Sequence, residues 1–177
     1  MGLDHEDVLE RVQTAAPSCL SGFDAVPTEI PIHGNADAHS SWRLICRCGG
    51  KTGRLLGYPL ASLGVPDVRP DWLVSPLTFE CADCSTATQI LDTDLHGYHA
   101  LEGGSAKRRG VGFPSRFICP QCAGANFGVS VAFLFWGVDE LAEEFDSDWE
   151  DRFNAFLCDC TCSSCGKVSQ PTDFGKL

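Results

Sequence analysis

Apolar and polar positions alternate most clearly between Phe127 and Trp136. Phe127, Val129, Val131, Phe133 and Phe135 take one side, and Gly128, Ser130, Ala132, Leu134 and Trp136 the other. A period of two predicts a strand of about ten residues with one strongly apolar face. Ser41 to Cys46 alternates as well, with Trp42, Leu44 and Cys46 on one side, and Arg54 to Leu60 reads as its return strand. Leu77 to Cys81, Thr88 to Leu91 and Arg152 to Cys158 are shorter strand-like runs. Two segments follow the helical period instead. Residues 3–15 place Val8 and Val12 four apart, with Asp4 at the cap position and Pro17 as the stop. Asp139 to Trp149 carries Leu141, Phe145 and Trp149 at four-residue steps. Proline and glycine mark the rest. Residues 17–40 read as irregular covering chain, residues 59–76 as a loop with four prolines, and Gly103 through Gly112 as a basic linker.

Cysteine adds a second constraint. The 177 residues contain eleven cysteines, and most fall in four clusters: Cys46-Arg47-Cys48, Cys81-Ala82-Asp83-Cys84, Cys119-Pro120-Gln121-Cys122, and Cys158 through Cys165. No secretory signal is expected, because residues 1–16 carry Asp4, Glu6, Asp7 and Glu10 and have no apolar stretch. A cytoplasmic location follows as the expectation, and there clustered thiols bind metal more often than they form disulfides. Two thiolates two or three residues apart can face one ion if the backbone between them turns tightly. Gly49 and Gly166 supply the positive φ that such turns use. Sequential pairing gives two sites: Cys46, Cys48, Cys81 and Cys84, and Cys119, Cys122, Cys162 and Cys165. The pairs are separated by 32 and 39 residues, each enough for a hairpin with an elaborated tip. Cys160 is an alternative to Cys162. Cys158 and Cys160 are otherwise expected to pack on the opposite face of the last strand.

With these knuckles the chain resembles zinc-ribbon proteins. The resemblance implies a small β-rich, metal-stabilised fold of two zinc ribbons with short helices, holding two Zn²⁺. It departs from the commonest pattern at Cys46-Arg47-Cys48, where one spacer replaces two. The implied division is a helix and covering segment over 1–40, a first ribbon over 41–102, a linker over 103–112 and a second ribbon over 113–177. Sites closed by four protein sulfurs are structural, since catalytic zinc keeps a position open for water. Iron is the alternative metal.

Charge bears on partners. The formal net charge is −11, and each Zn²⁺ on four thiolates carries −2, so two filled sites bring the chain to −15. Such a chain does not bind nucleic acid wholesale. The acids concentrate in Asp139, Glu140, Glu143, Glu144, Asp146, Asp148, Glu150 and Asp151. That run is a solvated helix face or a docking surface for a basic protein. Two stretches are locally basic: Arg43, Arg47, Lys51 and Arg54, and Lys107, Arg108, Arg109 and Arg116. They offset thiolate charge or, with Trp42, Tyr58, Phe113 and Phe117 interleaved, touch single-stranded nucleic acid.

Catalytic signatures are missing. Gly49-Gly50-Lys51-Thr52 lacks the earlier glycine of a phosphate loop, and no His-x-Glu, His-Glu-x-x-His or Gly-x-Ser-x-Gly occurs. His96-Gly97-Tyr98-His99 is a weak candidate for a metal ligand. The longest uncharged run, Phe117 to Val138, holds Pro120, Gln121, Asn126 and two cysteines, so no membrane span is expected. The reading is a non-enzymatic zinc-binding protein acting on a basic protein partner, for example an immunity protein that neutralises a nucleic-acid-attacking toxin. The alternative is a nucleic-acid-associated zinc ribbon. A thiol oxidoreductase using Cys158 or Cys160 is the third possibility.

Overall fold

The fold was described from a computed structural model covering residues 5–64, 71–98 and 109–173. Asp4, His99, Lys107 and Arg108, and most of the expected linker, lie outside the described residues. The strands are β1 (Phe23–Pro27), β2 (Ala38–Cys46), β3 (Gly53–Pro59), β4 (Leu73–Cys81), β5 (Ala87–Leu91), β6 (Ser115–Arg116), β7 (Phe127–Phe135), β8 (Ala155–Cys162) and β9 (Val168–Asp173). Among the described residues the α-helices are α1 (His5–Thr14) and α2 (Val138–Glu144). These nine strands, those of the described residues, join one antiparallel sheet.

β7 is its axis. One edge pairs with β2, from Ala38↔Phe135 to Arg43↔Ser130, and meets β3 at Gly53↔Phe127. The other edge pairs along its length with β8. Thr172 Oγ1 donates to the Leu73 carbonyl at 2.7 Å and draws β9 against β4. The path β4–β3–β7–β8–β9 is therefore nearly closed on itself.

The alternation in β7 does put Phe127, Val129, Val131, Phe133 and Phe135 into the main core. The opposite face is not solvated, however. Ala132 and Leu134, with Ala155 and Leu157 of β8, are covered by Ile30, Ile32 and Ala36. That is the task of the covering chain, and it explains the apolar residues at both parities of β7. One core joins Val8 and Val12 of α1, Leu44 of β2, Phe79 of β4 and Phe156 of β8.

Several expectations are corrected. Residues 17–40 are not wholly irregular, because Phe23–Pro27 pairs as an edge strand from Phe23↔Cys46 to Pro27↔Trp42. Pro27 stands at the strand's end, where a missing N–H costs nothing. Residues 59–76 are not all loop: Leu60–Leu63 is a 3-10 turn and β4 starts at Leu73. β4 takes in Pro76, which follows a cis bond from Ser75. The second helix stops at Glu144, and Phe145 is extended. Asp139/Glu143 and Glu140/Glu144 are like-charged pairs four apart with no base to offset them. Phe145 also leaves the helical path to meet Tyr98 edge-on at 6.0 Å. The last long strand starts at Ala155, later than expected, and runs to Cys162.

Candidate metal centres and the acidic pole

β2, β4 and β8 end at the pole where β3, β5, β7 and β9 begin. All four cysteine knuckles occupy the connections there. Three are built alike. The N–H of the first cysteine donates to the carbonyl five residues on, and the residue four on donates back to that cysteine's carbonyl. The bonds are Cys81 to Thr86 and Ser85 to Cys81 (both 3.0 Å), Cys119 to Gly124 (2.8 Å) and Ala123 to Cys119 (2.9 Å), and Cys162 to Lys167 and Gly166 to Cys162 (both 2.9 Å). The residue that donates back is left-handed each time: Ser85 at φ 58°, Ala123 at 59° and Gly166 at 72°. The Cys46–Cys48 knuckle is the same device shortened by one. Cys46 N–H reaches Gly50 (2.8 Å), Gly49 reaches back to Cys46 (2.7 Å), and Gly49 has φ 91°. The single spacer is therefore geometrically sound.

The turns bring the sulfurs together in the sequential pairing. The sulfurs of Cys46, Cys48, Cys81 and Cys84 all lie within 4.8 Å of one another, as do those of Cys119, Cys122, Cys162 and Cys165. The closest approaches are Cys46–Cys84 and Cys48–Cys81 at 3.6 Å, Cys119–Cys165 at 3.7 Å and Cys122–Cys162 at 3.5 Å. Two sulfurs on a tetrahedral ion, each about 2.3 Å from it, stand about 3.8 Å apart. A disulfide needs about 2.05 Å. The four-sulfur sets fit a metal and not a disulfide.

Backbone amides complete each set. The N–H two residues ahead donates to the sulfur of Cys46, Cys48, Cys84, Cys119, Cys122 and Cys162. These bonds favour the thiolate. The Thr86 hydroxyl, 3.3 Å from Cys84 Sγ, and the Thr86 amide hold that thiol down at about 6. The Cys165 and Ser164 amides hold Cys162 at about 6, against the opposing effect of burial. Cys46, Cys81, Cys119 and Cys162 are buried, while Cys48, Cys84, Cys122 and Cys165 face outward. Each centre thus has two sulfurs in the core and two at the surface.

Cys158 and Cys160 are placed differently from the expectation. They share the strand parity of Cys162 and lie opposite Val131 and Val129, fully buried in the same core. Three alternate residues of one strand necessarily face one way. Neither joins a four-sulfur set. Burial pushes the Cys160 thiol well up, contrary to what a reactive thiolate requires. His96 accepts the Asp92 N–H on Nδ1 at 2.9 Å, so its lone pair is used within its own turn.

The acidic residues sit at the opposite pole, after β7 ends. Glu140, Glu143, Asp146 and Asp148 are exposed. Asp139 meets His5 Nδ1 at 2.5 Å, and Glu144 accepts the Tyr98 hydroxyl at 2.8 Å. Asp151 Oδ1 accepts the Ser18 N–H at 2.6 Å. Glu150 differs from the rest, being only 7% exposed. It takes Arg11 Nε at 2.9 Å and Nη2 at 2.5 Å, and this guanidinium holds its carboxyl below the ordinary value. Glu150 fastens α1 to the turn at Trp149–Asp151 and presents no surface.

The basic stretches are partly engaged. Arg47 pairs with Asp24 at 2.6 Å, Arg54 with Glu80 at 3.1 Å, and Arg109 with Asp92 at 2.9 Å and Asp94 at 2.6 Å. Arg43, Lys51 and Arg116 remain exposed. Among the described residues no helix is long and apolar enough to cross a membrane. Comparison with family models, with curated proteins and with solved structures yields no match for this chain.

Proposed function

We propose that the chain is a non-enzymatic binding protein. Its metal pole holds two Zn²⁺ in ribbon-like sites, and its opposite pole receives a basic protein. One observation carries the second half of this reading. α1 packs beside α2 and against the turn at Trp149–Asp151, which merges two acidic segments far apart in sequence. Glu6, Asp7 and Glu10 join seven of the eight acids between Asp139 and Asp151, Glu150 being buried, and the arginines beside them are Arg11, taken up by Glu150, and Arg152, which lies over the Phe145 ring. A one-signed surface of this kind steers a cationic partner and then pairs with its lysines and arginines. The concrete form is an immunity protein for a basic, nucleic-acid-attacking toxin, acting in the cytoplasm. Zinc is favoured by the all-sulfur tetrahedral donor sets, which leave no open position.

Two measurements test this. Elemental analysis of the purified chain should return two zinc ions; one metal or iron overturns the metal assignment. Native purification should retain a basic protein, and the Glu140→Gln, Glu143→Gln, Asp146→Asn variant should lose it and flatten the salt dependence of binding. A complex indifferent to both changes removes the acidic pole from the function. Recovery of nucleic acid, released when Arg43 and Lys51 become alanine, replaces this reading with the nucleic-acid alternative.

A further inference from the structure

The edge of β2 that faces β1 is only half paired. β1 runs beside β2 from Phe23↔Cys46 to Pro27↔Trp42. The Thr28 N–H continues that ladder, donating to the Ser41 carbonyl at 2.9 Å. Beyond Thr28 the chain leaves the edge, and Ile30 packs over Ala132 and Leu134 of β7. Successive residues of a paired strand turn their backbone groups to opposite edges. The bond at Ser41 puts the odd-numbered residues of β2 on the β1 side. His39 N–H, His39 C=O and Ser41 N–H therefore face a vacated line. Among the described residues none of the three has a hydrogen-bond partner there.

An open recess runs along this line, and His39, Ser40, Ser41 and Trp42 all border it. Consecutive side chains of a strand point to opposite faces, so four in a row meet one recess only at the strand's edge. Exposed edges are ordinarily blocked by lysine, proline or a bulge, and Ala38 to Ser41 carries none of these. The flanks are negative. Glu29 borders the recess, as do Gln13 and Thr14 at the carboxyl end of α1, where a helix presents partial negative charge. No lysine or arginine borders it. The recess also adjoins the acidic pole. Ala38 pairs with Phe135 at the end of β7, and Asp37 Oδ2 accepts the Gly137 N–H at 2.7 Å, just before α2.

We propose that an extended segment of the basic partner adds to β2 here as a short strand. Its backbone donates to the His39 carbonyl and accepts from the His39 and Ser41 N–H groups. Its lysine or arginine side chains face Glu29 and the end of α1. The proposal rests on the acidic pole being a docking surface for a basic protein, and it says how that protein is held. Backbone pairing supplies affinity in such additions, and the negative flanks select the segment by charge. Thr28, seated opposite Ser41, closes the line toward the metal pole. The added strand is therefore short and extends toward the acidic pole.

The test is an NMR titration of the isotope-labelled, metal-loaded full chain. The probe is a capped hexapeptide alternating valine and lysine, against the same peptide with glutamate for lysine. Amide exchange at His39 and Ser41 is followed in parallel. The lysine peptide should saturate and slow both exchanges about tenfold at about nine-tenths occupancy; the glutamate peptide should not bind. His39→Pro removes one of the three groups at an edge position that tolerates proline, and should weaken binding about three- to tenfold. If circular dichroism shows that variant unfolded, Glu29→Gln replaces it, with a weakening of about two- to fivefold. No saturable binding, equal binding of the glutamate peptide, unchanged exchange at both amides, or undiminished binding by the folded variant overturns the proposal. So does self-association that His39→Pro abolishes, which assigns the edge to a second copy of this chain. Both variants leave Glu140, Glu143 and Asp146 intact. A native partner lost by the acidic-pole variant but kept by folded His39→Pro refutes the added strand and leaves the acidic pole standing.

Discussion

A methyl group on Gly50 would stand 2.5 Å from Cys81 Sγ and 2.8 Å from an Asp83 carboxylate oxygen. At Gly124 the nearest atoms would be Cys162 Sγ at 3.1 Å and Cys122 Sγ at 3.2 Å. Both glycines lie two residues past the second cysteine of a knuckle and donate to its sulfur. Bare backbone is needed there so that the amide can approach the sulfurs. Gly50→Ala should therefore weaken metal binding at the first centre by about 10- to 100-fold, the range for changes just outside a ligand set. Gly124→Ala should weaken the second centre less, because sulfurs at 3.1–3.2 Å need yield only slightly. Competition with a chromophoric chelator measures both, and equal affinity for Gly50→Ala and the parent protein refutes the account. The cysteine spacing made the two four-sulfur groups legible in the sequence. The need for Gly50 was not, because its neighbour Cys81 is thirty-one positions away.

Between elements, the Arg11–Glu150 pair decides how α1 sits. Arg11 is more than half exposed and Glu150 is buried, so the ion pair itself is weakened by solvent. The larger effect of removing Arg11 is a buried carboxylate without its donors. Arg11→Met should cost about 1–3 kcal/mol at neutral pH. The folded pKa of Glu150 is depressed below its ordinary 4.5. A depressed carboxyl contributes stability above its unfolded pKa and loses it as pH falls through the folded value. The gap between parent and Arg11→Met should thus be full above about pH 5 and close below pH 4.5. Denaturant titrations at several pH values read this gap; a gap constant across that window contradicts the assignment. The helical period at Val8 and Val12 correctly marked α1, while the steps Leu141, Phe145 and Trp149 overextended α2. Periodicity records which positions are apolar, but Phe145 is half-buried against Tyr98 and Arg152, not by continuing the helix.

At the scale of the molecule, one sheet separates two poles of different character. The metal pole ties together the ends of β2, β4 and β8. A structural zinc site contributes about 10–16 kcal/mol of binding free energy, against a net stability of about 5–15 kcal/mol for a whole domain. Emptying either centre exceeds that margin, and four thiolates held within 4.8 Å would then repel. Verified removal of metal by a strong chelator should unfold the chain cooperatively, including α1 and α2 at the far pole. Unchanged circular dichroism would sink this expectation. Retention of the helices alone would mean that the shared core stands without metal.

Residue order alone carried the chemistry: eight cysteines in paired knuckles, a strand with apolar alternation, an acidic run and an amphipathic first helix. These are local properties, set by spacings of two to four residues, and local geometry expresses them wherever the segment lies. Tertiary structure alone decided that both centres share a pole, that β7 is buried on both faces, and that Glu150 is an anchor while its acidic neighbours are surface. It also left the edge of β2 at His39 and Ser41 open beside the acidic pole. Those outcomes depend on pairing between segments tens of residues apart. The sheet fixes that pairing through backbone hydrogen bonds, which carry no mark of their partner in the side-chain pattern.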